Sequence, residues 1–185
     1  MHGATAKVVK AYLNNNAEQT AEAVWHINNA PGNNIAKIRA VRVLNKKRKV
    51  ESHHLFSDPI ILEMEFWCLT SGVRFNPNFH IYNSHGVPIL NAVNFEDKQW
   101  GTKHYSCGLY RSQCVIPGCL LNEGQYNVSS LIVQDTSIIH ARKEEIVTFN
   151  VNDDGVGRGD YTGGWLGVIR PLLFWSIELV YGMVS

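Results

Sequence analysis

The sequence lacks several features that would assign the protein to a particular class. No apolar run approaches the roughly eighteen residues of a membrane-spanning helix, and the N-terminus has no apolar stretch typical of a signal peptide. The net charge is only +1, which argues against strong electrostatic attraction to nucleic acid or to an anionic membrane. We therefore expect a cytoplasmic protein without a nucleic-acid partner.

The motifs of common enzyme classes are also missing. The sequence contains no Gly-x-x-x-x-Gly-Lys-Ser/Thr loop, no Gly-x-Ser-x-Gly elbow and no His-Glu-x-x-His pair. The glycine-rich segment 155–164 lacks the helix that a phosphate cradle needs, so we interpret it as a surface loop. Glu63 and Glu65 share one strand face, where a solvated position is a better interpretation than a glycosidase pair. The sequence predicts a protein that is not an enzyme and needs no cofactor.

Cysteine usage is sparse. The four cysteines form no Cys-x-x-Cys pair, which gives poor support for structural zinc; they are Cys68, Cys107, Cys114 and Cys119. We predict reduced thiols, with a disulfide between Cys107 and Cys114 as the alternative.

A histidine metal site is a further alternative. His80 and His85, with His104 or His140 as the third ligand, could form such a site on a barrel. The partners that normally orient metal-bound imidazoles cannot be identified in the sequence. We therefore predict no metal, and a metal-dependent barrel enzyme ranks third among the interpretations.

An alternation of apolar and polar residues runs through most of the chain after residue 34. In segment 60–69, apolar side chains alternate with Glu63, Glu65 and Trp67, which predicts a strand with one buried face. About eight to ten such runs separated by turn residues predict an all-β sandwich or barrel. Segment 166–180 supplies the last strand or strands, and Pro171 favours a bend or an edge position there.

A short basic run interrupts this pattern. It consists of Lys46, Lys47, Arg48 and Lys49. Because no aromatic residues interleave with it, a solvated hairpin tip is favoured over a nucleic-acid signal.

The first 33 residues differ from the rest. Segment 4–13 places Val8, Val9, Tyr12 and Leu13 on one helical face, and three asparagines end that helix. A helix this short is marginal in water by itself, and residues 14–34 have the composition of a linker. We predict a short helix and linker over residues 1–33, followed by the main domain at 34–185.

Segment 116–133 is the most informative strand region. Tyr126 follows Gly124 at the start of a strand, as in the tyrosine corner of Greek-key sandwiches, where the hydroxyl binds the backbone upstream. A plain strand that begins with an aromatic residue is the alternative. The alternation directs Tyr126, Val128 and Ile132 into the core. It directs Asn127 and Ser129 outwards.

Outward aromatic and polar residues suggest a ligand surface. Trp67, His80 and Tyr82 occupy outward positions on successive strands, and Asn127 and Ser129 do so after Gly124. Aromatic rings stack on the C–H faces of sugars while amides and hydroxyls bind their hydroxyl groups. An ordinary solvent face with scattered aromatics is the alternative. The predicted carbohydrate-binding residues are Trp67, Tyr82 and Trp100 for stacking, His80, Asn127 and Ser129 for hydroxyl groups, and Arg111 for an anionic cap.

Three sequence blocks carry a family resemblance. They are Tyr-Asn-Ser-x-Gly-Val at 82–87, Leu-x-x-Gly-x-Tyr at 121–126 and Gly-Val-x-x-Pro…Trp at 167–175. In this order they resemble the C-terminal domain of Wzt, the ATP-binding subunit of bacterial ABC transporters that export O-antigen polysaccharide. The likeness extends over about residues 34–175, and the start of the chain resembles the tail of such an ATPase domain.

The resemblance implies a fold and a role. The fold would be an immunoglobulin-like, jelly-roll antiparallel β-sandwich. The role would be recognition of the non-reducing end of the O-antigen polysaccharide, next to the transporter ATPase domain and the membrane subunit at the inner face of the plasma membrane. A homodimer is implied, with exchange of terminal strands as an open option that the run Leu172–Val180 would suit. A dimerisation or regulatory module that does not touch sugar is the alternative function.

Overall fold

The alternating segments form nine strands in the computed structural model, which describes residues 20–95 and 103–181. The strands are β1 Glu22–Val24, β2 Ala36–Leu44, β3 His53–Leu55, β4 Ile60–Cys68, β5 Phe75–Asn83, β6 Pro88–Ala92, β7 Gly108–Ile116, β8 Gly124–Gln134 and β9 Ile138–Asn152. No α-helix is assigned in these two ranges; accordingly, none there is long and apolar enough to cross a membrane. The predicted helix at 4–13 lies outside the described residues.

The strands form two sheets that pack face to face. The four-stranded sheet has the order β1-β2-β4-β7, and the five-stranded sheet has the order β3-β9-β8-β5-β6. All paired strands are antiparallel except β3 and β9, which run parallel. The predicted immunoglobulin-like β-sandwich is confirmed, with this one parallel pair as a departure from the antiparallel expectation.

The core lies between the sheets because each strand has one apolar face. On β4, the side chains of Leu62, Met64 and Phe66 are fully buried, as the alternation predicts. They meet inward residues of the opposite sheet, and the ring of Phe66 lies edge-on to that of Phe75 at 6.0 Å between centroids. Each such side chain stabilises the fold by roughly 1.5–3 kcal/mol when it leaves water.

The tyrosine corner is confirmed at the start of β8. The Tyr126 hydroxyl donates a hydrogen bond to the carbonyl oxygen of Asn122 at 2.8 Å, and the ring stacks on Phe149 with centroids 5.4 Å apart. Burial raises the pKa of Tyr126 to about 12, so the hydroxyl remains a donor at physiological pH. Val128 and Ile132 are buried in the core as predicted.

The C-terminal segment is held on the sandwich as far as Arg170. The backbone N–H of Arg170 donates to the carbonyl of Leu120 at 2.9 Å. Its guanidinium lies 3.5 Å from the centroid of the Phe56 ring and pairs with Asp153 at 2.8 Å. The predicted strand over 166–180 is wrong, since only an isolated bridge of Ile169 to Leu121 forms. Pro171 follows directly and has no N–H to continue a ladder.

The sandwich begins earlier than the sequence indicates. Residues 22–24 were expected in the linker, but they form β1, with Ala23 opposite Val41 of β2. The N–H of Trp25 bonds the carbonyl of Arg39 at 2.8 Å, and the Trp25 side chain packs against the core. Residues 20–33 are therefore part of the sandwich, while residues 1–19 lie outside the described ranges.

Two smaller predictions concern the basic run and the cysteines. The basic run is an exposed turn between β2 and β3, as predicted. All four cysteines are free. The alternative disulfide between Cys107 and Cys114 is wrong, because the extended strand β7 separates the two residues by roughly 20 Å.

Candidate functional site

The structure divides the predicted site residues between the two outer faces of the sandwich. His80 and Tyr82 of β5 and Asn127 and Ser129 of β8 are neighbours on the five-stranded sheet. Trp67 of β4 and Arg111 of β7 lie on the four-stranded sheet. The expectation of one shared face is therefore wrong, because β4 and β5 follow each other in the chain but belong to opposite sheets. Trp100 lies outside the described residues.

The residues on the five-stranded sheet form what we call the polar patch: His80, Tyr82, Asn91, Asn127 and Thr148. The strand register brings them together. Asn91 is opposite His80, Asn127 is opposite Tyr82, and Thr148 is opposite Asn127. Directly opposed side chains lie about 5 Å apart at Cβ, so the patch is continuous across β6, β5, β8 and β9.

A shallow cleft of about 260 Å³ opens at the β5–β6 end of this patch. His80, Tyr82 and Asn91 supply its polar part, and residues 88–90 of β6 supply an apolar wall. Tyr82 is half-buried and lines this cleft, so part of its side chain remains accessible to a ligand. A ring beside apolar and amide groups is the combination that a sugar ring requires.

The polar groups of the patch have distinct roles. The Asn127 Oδ1 accepts a hydrogen bond from the Thr148 hydroxyl at 3.0 Å, which orients the amide and leaves its N–H groups as donors. Ser129 is buried, and its hydroxyl accepts the N–H of Glu145 at 3.1 Å. Glu145 has φ 47°, at a bulge of β9. Ser129 therefore supports the sheet beneath the patch and is not a surface contact.

His80 is a neutral hydrogen-bonding group. Burial lowers its pKa, and the positive charge of Arg142 lowers it further. The imidazole is consequently uncharged at neutral pH, when one ring nitrogen donates and the other accepts. Such a group suits hydroxyl groups better than it suits an anion.

The loop after β6 starts over the same sheet face. The backbone N–H of Asn94 donates to the side-chain oxygen of Asn76 at 3.2 Å, and Asn76 is on β5 four residues before His80. Trp100 follows later in the sequence, outside the described residues. The predicted stacking role of Trp100 stays a prediction.

The outer face of the four-stranded sheet is strongly charged. Glu63 and Glu65 of β4 are only 5% and 6% exposed, so the prediction of a solvated strand face for them is wrong. Guanidinium groups from both neighbouring strands cover them: Arg42 of β2 bonds Glu63 at 3.0 Å, and Arg111 of β7 bonds Glu65 at 2.7 Å. Arg39, the extra residue at a bulge of β2, also pairs with Glu65.

Strand register explains this network. Arg42 is opposite Glu63 across β2 and β4, and Arg111 is opposite Glu65 across β4 and β7. Burial alone raises the pKa of Glu65, but the hydrogen bond from Arg111 and the charges of Arg42 and Arg39 outweigh that effect and leave the pKa below its ordinary value. Glu65 and Arg111 are therefore both ionised at neutral pH.

A second cleft, of about 330 Å³, lies over this network. Its charged and amide lining consists of Arg42, Arg48, Glu63, Glu65, Arg111 and Gln113. Only Arg111 of this set was predicted. The alternation of basic and apolar residues along β2 is the sequence signal that could have identified Arg42. Trp67 lies at the other end of this face, between Lys37 and Leu109.

The alternative metal site finds no support in His140. Its two ring nitrogens lie 3.1 Å from the Asn33 amide nitrogen and 2.8 Å from the Gln134 side-chain oxygen. Both nitrogens are thus engaged within the protein. In the part of the chain that the structure describes, no group of three or more metal-ligating side chains comes together.

The family model described as the Wzt C-terminal domain matches residues 28–165. Among solved structures, the crystal structure of the C-terminal domain of Wzt superimposes with a TM-score of 0.64 and 15% sequence identity, covering 88% of this chain and 90% of that chain. No curated protein matches the sequence. At this identity the structural likeness establishes the fold, and the family match covers most of the chain.

Proposed function

Because this chain belongs to the Wzt C-terminal domain family, we propose that it is a non-catalytic glycan-recognition domain of a polysaccharide exporter. The glycan is the terminal, non-reducing part of an O-antigen polysaccharide. The domain acts beside the exporter's ATPase domain and membrane subunit, on the cytoplasmic side of the inner membrane. The family membership supports the transporter setting, and the polar patch supports the sugar.

The polar patch is the observation that carries this proposal. Tyr82 offers a ring whose register neighbour is the amide of Asn127, and Asn91 flanks His80 on the other side. A sugar stacked on Tyr82 would therefore lie within reach of amide donors and a neutral imidazole. Several hydrogen bonds and one stacking contact give specificity without any covalent step.

Titration of the folded protein with the polysaccharide of its own organism tests the proposal. Calorimetry should report binding for the unmodified protein and weaker binding, by up to about tenfold, for Tyr82→Ala, since a stacking contact contributes about 0.5–1.5 kcal/mol. Trp67→Ala, which removes an aromatic from the opposite sheet, is the matched comparison. Loss of binding with Trp67→Ala alone would move the site to the four-stranded sheet, and no binding by the folded protein would refute the proposal.

A second candidate function is dimerisation, which the segment after Arg170 favours. Seven of its large side chains are 65–105% exposed: Leu173, Phe174, Trp175, Ile177, Leu179, Val180 and Tyr181. An exposed apolar surface of this kind marks an interaction site. In an extended conformation the odd-numbered positions 173–181 would form a wholly apolar face, with Ser176 and Glu178 on the other side.

The edge of the sandwich offers an acceptor for this segment. Strand β7 is an edge of the four-stranded sheet and β6 is an edge of the five-stranded sheet. A groove of about 370 Å³ runs between them, and Phe79, Leu90 and Ile116 are among its apolar lining residues. Addition of segment 172–180 from a second copy to β7 would satisfy free backbone groups and cover this groove. Glu178 would then lie on the side of β7 that carries Arg111.

A further inference from the structure

The charged cleft on the four-stranded sheet is not explained by sugar binding at the polar patch. It lies on the opposite outer face, and three arginines and two glutamates line it. Burying charged pairs contributes little net stability, because desolvation offsets the attraction between the partners. Net stability therefore does not account for the network by itself, and the exposed guanidinium of Arg111 leaves part of it open to a ligand.

The glutamates position the guanidinium groups of the cleft. The Nη2 and Nε atoms of Arg111 lie 2.7 and 3.3 Å from Glu65 Oε1. The arginine side chain is nevertheless 60% exposed. A guanidinium has five N–H donors in a fixed plane, so Arg111 retains donors that are oriented by Glu65 and open to solvent.

Arg48 approaches the cleft from the turn between β2 and β3. Its Nη1 donates to Gln113 Oε1 at 3.1 Å, and Gln113 Nε2 donates to Glu63 Oε2 at 2.6 Å. Gln113 lies two positions along β7 from Arg111. It links the exposed guanidinium of Arg48 to the buried carboxylate of Glu63. Arg48 and Arg111 both line the cleft, and Glu63 is linked to Arg48 through Gln113 and to Arg111 directly, at 3.4 Å.

The electrostatic surroundings favour a negative ligand. Lys47 and Lys49 are exposed on the same turn as Arg48. Lys46 is neutralised by Asp58, 2.9 Å away. Glu51 lies on the same turn and Glu22 pairs with Arg42. With Arg39, six cations therefore stand against four carboxylates around the cleft, although the whole chain is nearly neutral at +1. Concentration of one sign of charge around a cleft raises the local concentration of the opposite ion.

We infer that this cleft binds the anionic group of a charged saccharide, a phosphate ester or a carboxylate, between Arg48 and Arg111. Both groups present two oxygens in a plane that matches the guanidinium fork. The buried glutamates do not contact the ligand; they hold the arginines in position. Only the identification of the carrier as a saccharide rests on the proposed function.

NMR titration of the ¹⁵N-labelled full chain at constant ionic strength tests the inference. Glucose 1-phosphate and glucuronate are the two anionic probes, inorganic phosphate separates the anion from the sugar, and glucose is the neutral comparison. We expect the anions, and not glucose, to shift amide signals of residues 46–49 and 111–113. Arg48→Gln should weaken binding by about tenfold, because a charge-assisted hydrogen bond is lost.

Two comparison variants distinguish a built site from diffuse attraction. Lys143→Gln removes an exposed cation from β9 of the other sheet and should leave binding unchanged. Arg48→Lys keeps the charge and loses the planar fork of the guanidinium. Its affinity for the anionic probes should therefore lie between that of Arg48→Gln and that of the unmodified protein. Equal weakening by Lys143→Gln and Arg48→Gln, or no shift with any anion, would overturn the inference.

Anion binding at the charged cleft can be tested separately from polysaccharide binding at the polar patch. Tyr82→Ala should not change binding of the anionic probes. If the anions fail to bind while the polysaccharide still binds in a Tyr82-dependent manner, only the cleft assignment is wrong. If the anions bind and the polysaccharide does not, the cleft stands and the proposed glycan function is wrong.

Discussion

Tyr126 and Asn122 hold the C-terminal segment on the sandwich through one shared arrangement. The hydroxyl of Tyr126 donates to the carbonyl of Asn122 at 2.8 Å and also lies 3.2 Å from the carbonyl of Val168. The backbone N–H of Asn122 donates to Val168 at 3.0 Å, and its side-chain amide donates to Gly167 at 2.7 Å. The tyrosine corner therefore supports both the β7–β8 turn and the segment that leads to the exposed apolar residues.

Replacement of this hydroxyl should destabilise the fold. Tyr126→Phe keeps the ring stacked on Phe149 and leaves the buried Asn122 carbonyl without its donor. We expect a loss of about 1–3 kcal/mol in the free energy of unfolding, measured by urea denaturation. Tyr82→Phe, on the outer face, is the matched control and should change stability by less than about 0.5 kcal/mol. Equal stability of the two variants would contradict a structural role for the corner.

Removal of a carboxylate from the charged face should also destabilise the protein. Glu65→Ala removes the one carboxylate that pairs with all three of Arg39, Arg42 and Arg111 in the described network. We expect a loss of about 2–3 kcal/mol, less than for a fully buried pair because Arg39 and Arg111 reach solvent. Thermal unfolding measures the loss. The control is Glu144→Ala, which breaks the exposed pair with Arg142. An unchanged midpoint for Glu65→Ala would show that the network carries no stability.

Stability should fall in mild acid because of His140. Asn33 Oδ1 accepts the N–H groups of Ile35 and Ala36 at 2.9 and 3.2 Å. The Asn33 amide nitrogen must therefore face His140 Nδ1, which accepts its hydrogen bond as a neutral imidazole. Protonation of Nδ1 would place two donors against each other.

The sign of this pH dependence follows from the lowered pKa. Burial keeps the pKa of His140 below its ordinary value in the folded state, while the unfolded chain has a histidine pKa of about 6.5. The contribution of His140 is therefore complete above about pH 6.5 and is lost as the pH falls through the folded pKa.

Urea unfolding between pH 8 and pH 5 measures this effect. His140→Gln should be less stable than the unmodified protein at pH 8. The difference in the free energy of unfolding between the two proteins should become smaller towards pH 5. His54 and His80, whose pKa values are also lowered by burial, remain in both proteins and cancel in the difference. A difference in unfolding free energy that does not change with pH would exclude the hydrogen bond from the Asn33 amide to neutral His140.

The exposed C-terminal residues predict an oligomer whose stability depends on Ile177. If segment 172–180 pairs with β7 of a second copy, Ile177→Asp places a charge in the apolar groove of each subunit. We expect the dimer dissociation constant to rise about 100-fold or more, because two buried side chains are lost. Analytical ultracentrifugation gives the constant. Ile138→Asp makes the same change at an exposed residue near the β8–β9 turn, and an equal effect there would argue against the pairing.

Much of the fold could be predicted because strand alternation is local. The inward positions of Tyr126, Val128 and Ile132 follow from a period of two and from a glycine that marks the strand start. The hydrogen bond of the corner followed from the same residues. The strand predicted over 166–180 is absent for a non-local reason. A strand forms only where another strand pairs with it, and beyond the single bridge of Ile169 to Leu121 this segment pairs with no strand in the described chain.

The candidate site was only partly predictable for the same reason. The sequence assigned Trp67 and Tyr82 correctly to outward positions, but it contained no information on which strands share a sheet. It also treated Glu63 and Glu65 as solvated, since the arginines that cover them come from segments twenty or more residues away.

The sequence by itself determined which face of each strand is apolar, where the tyrosine corner lies and which family the chain resembles, because these depend on neighbouring residues. The tertiary structure decided that β4 and β5 lie in opposite sheets, so that one predicted surface became a polar patch and a charged cleft. Strand pairing sets that division through backbone hydrogen bonds and core packing between distant segments, which no local period encodes.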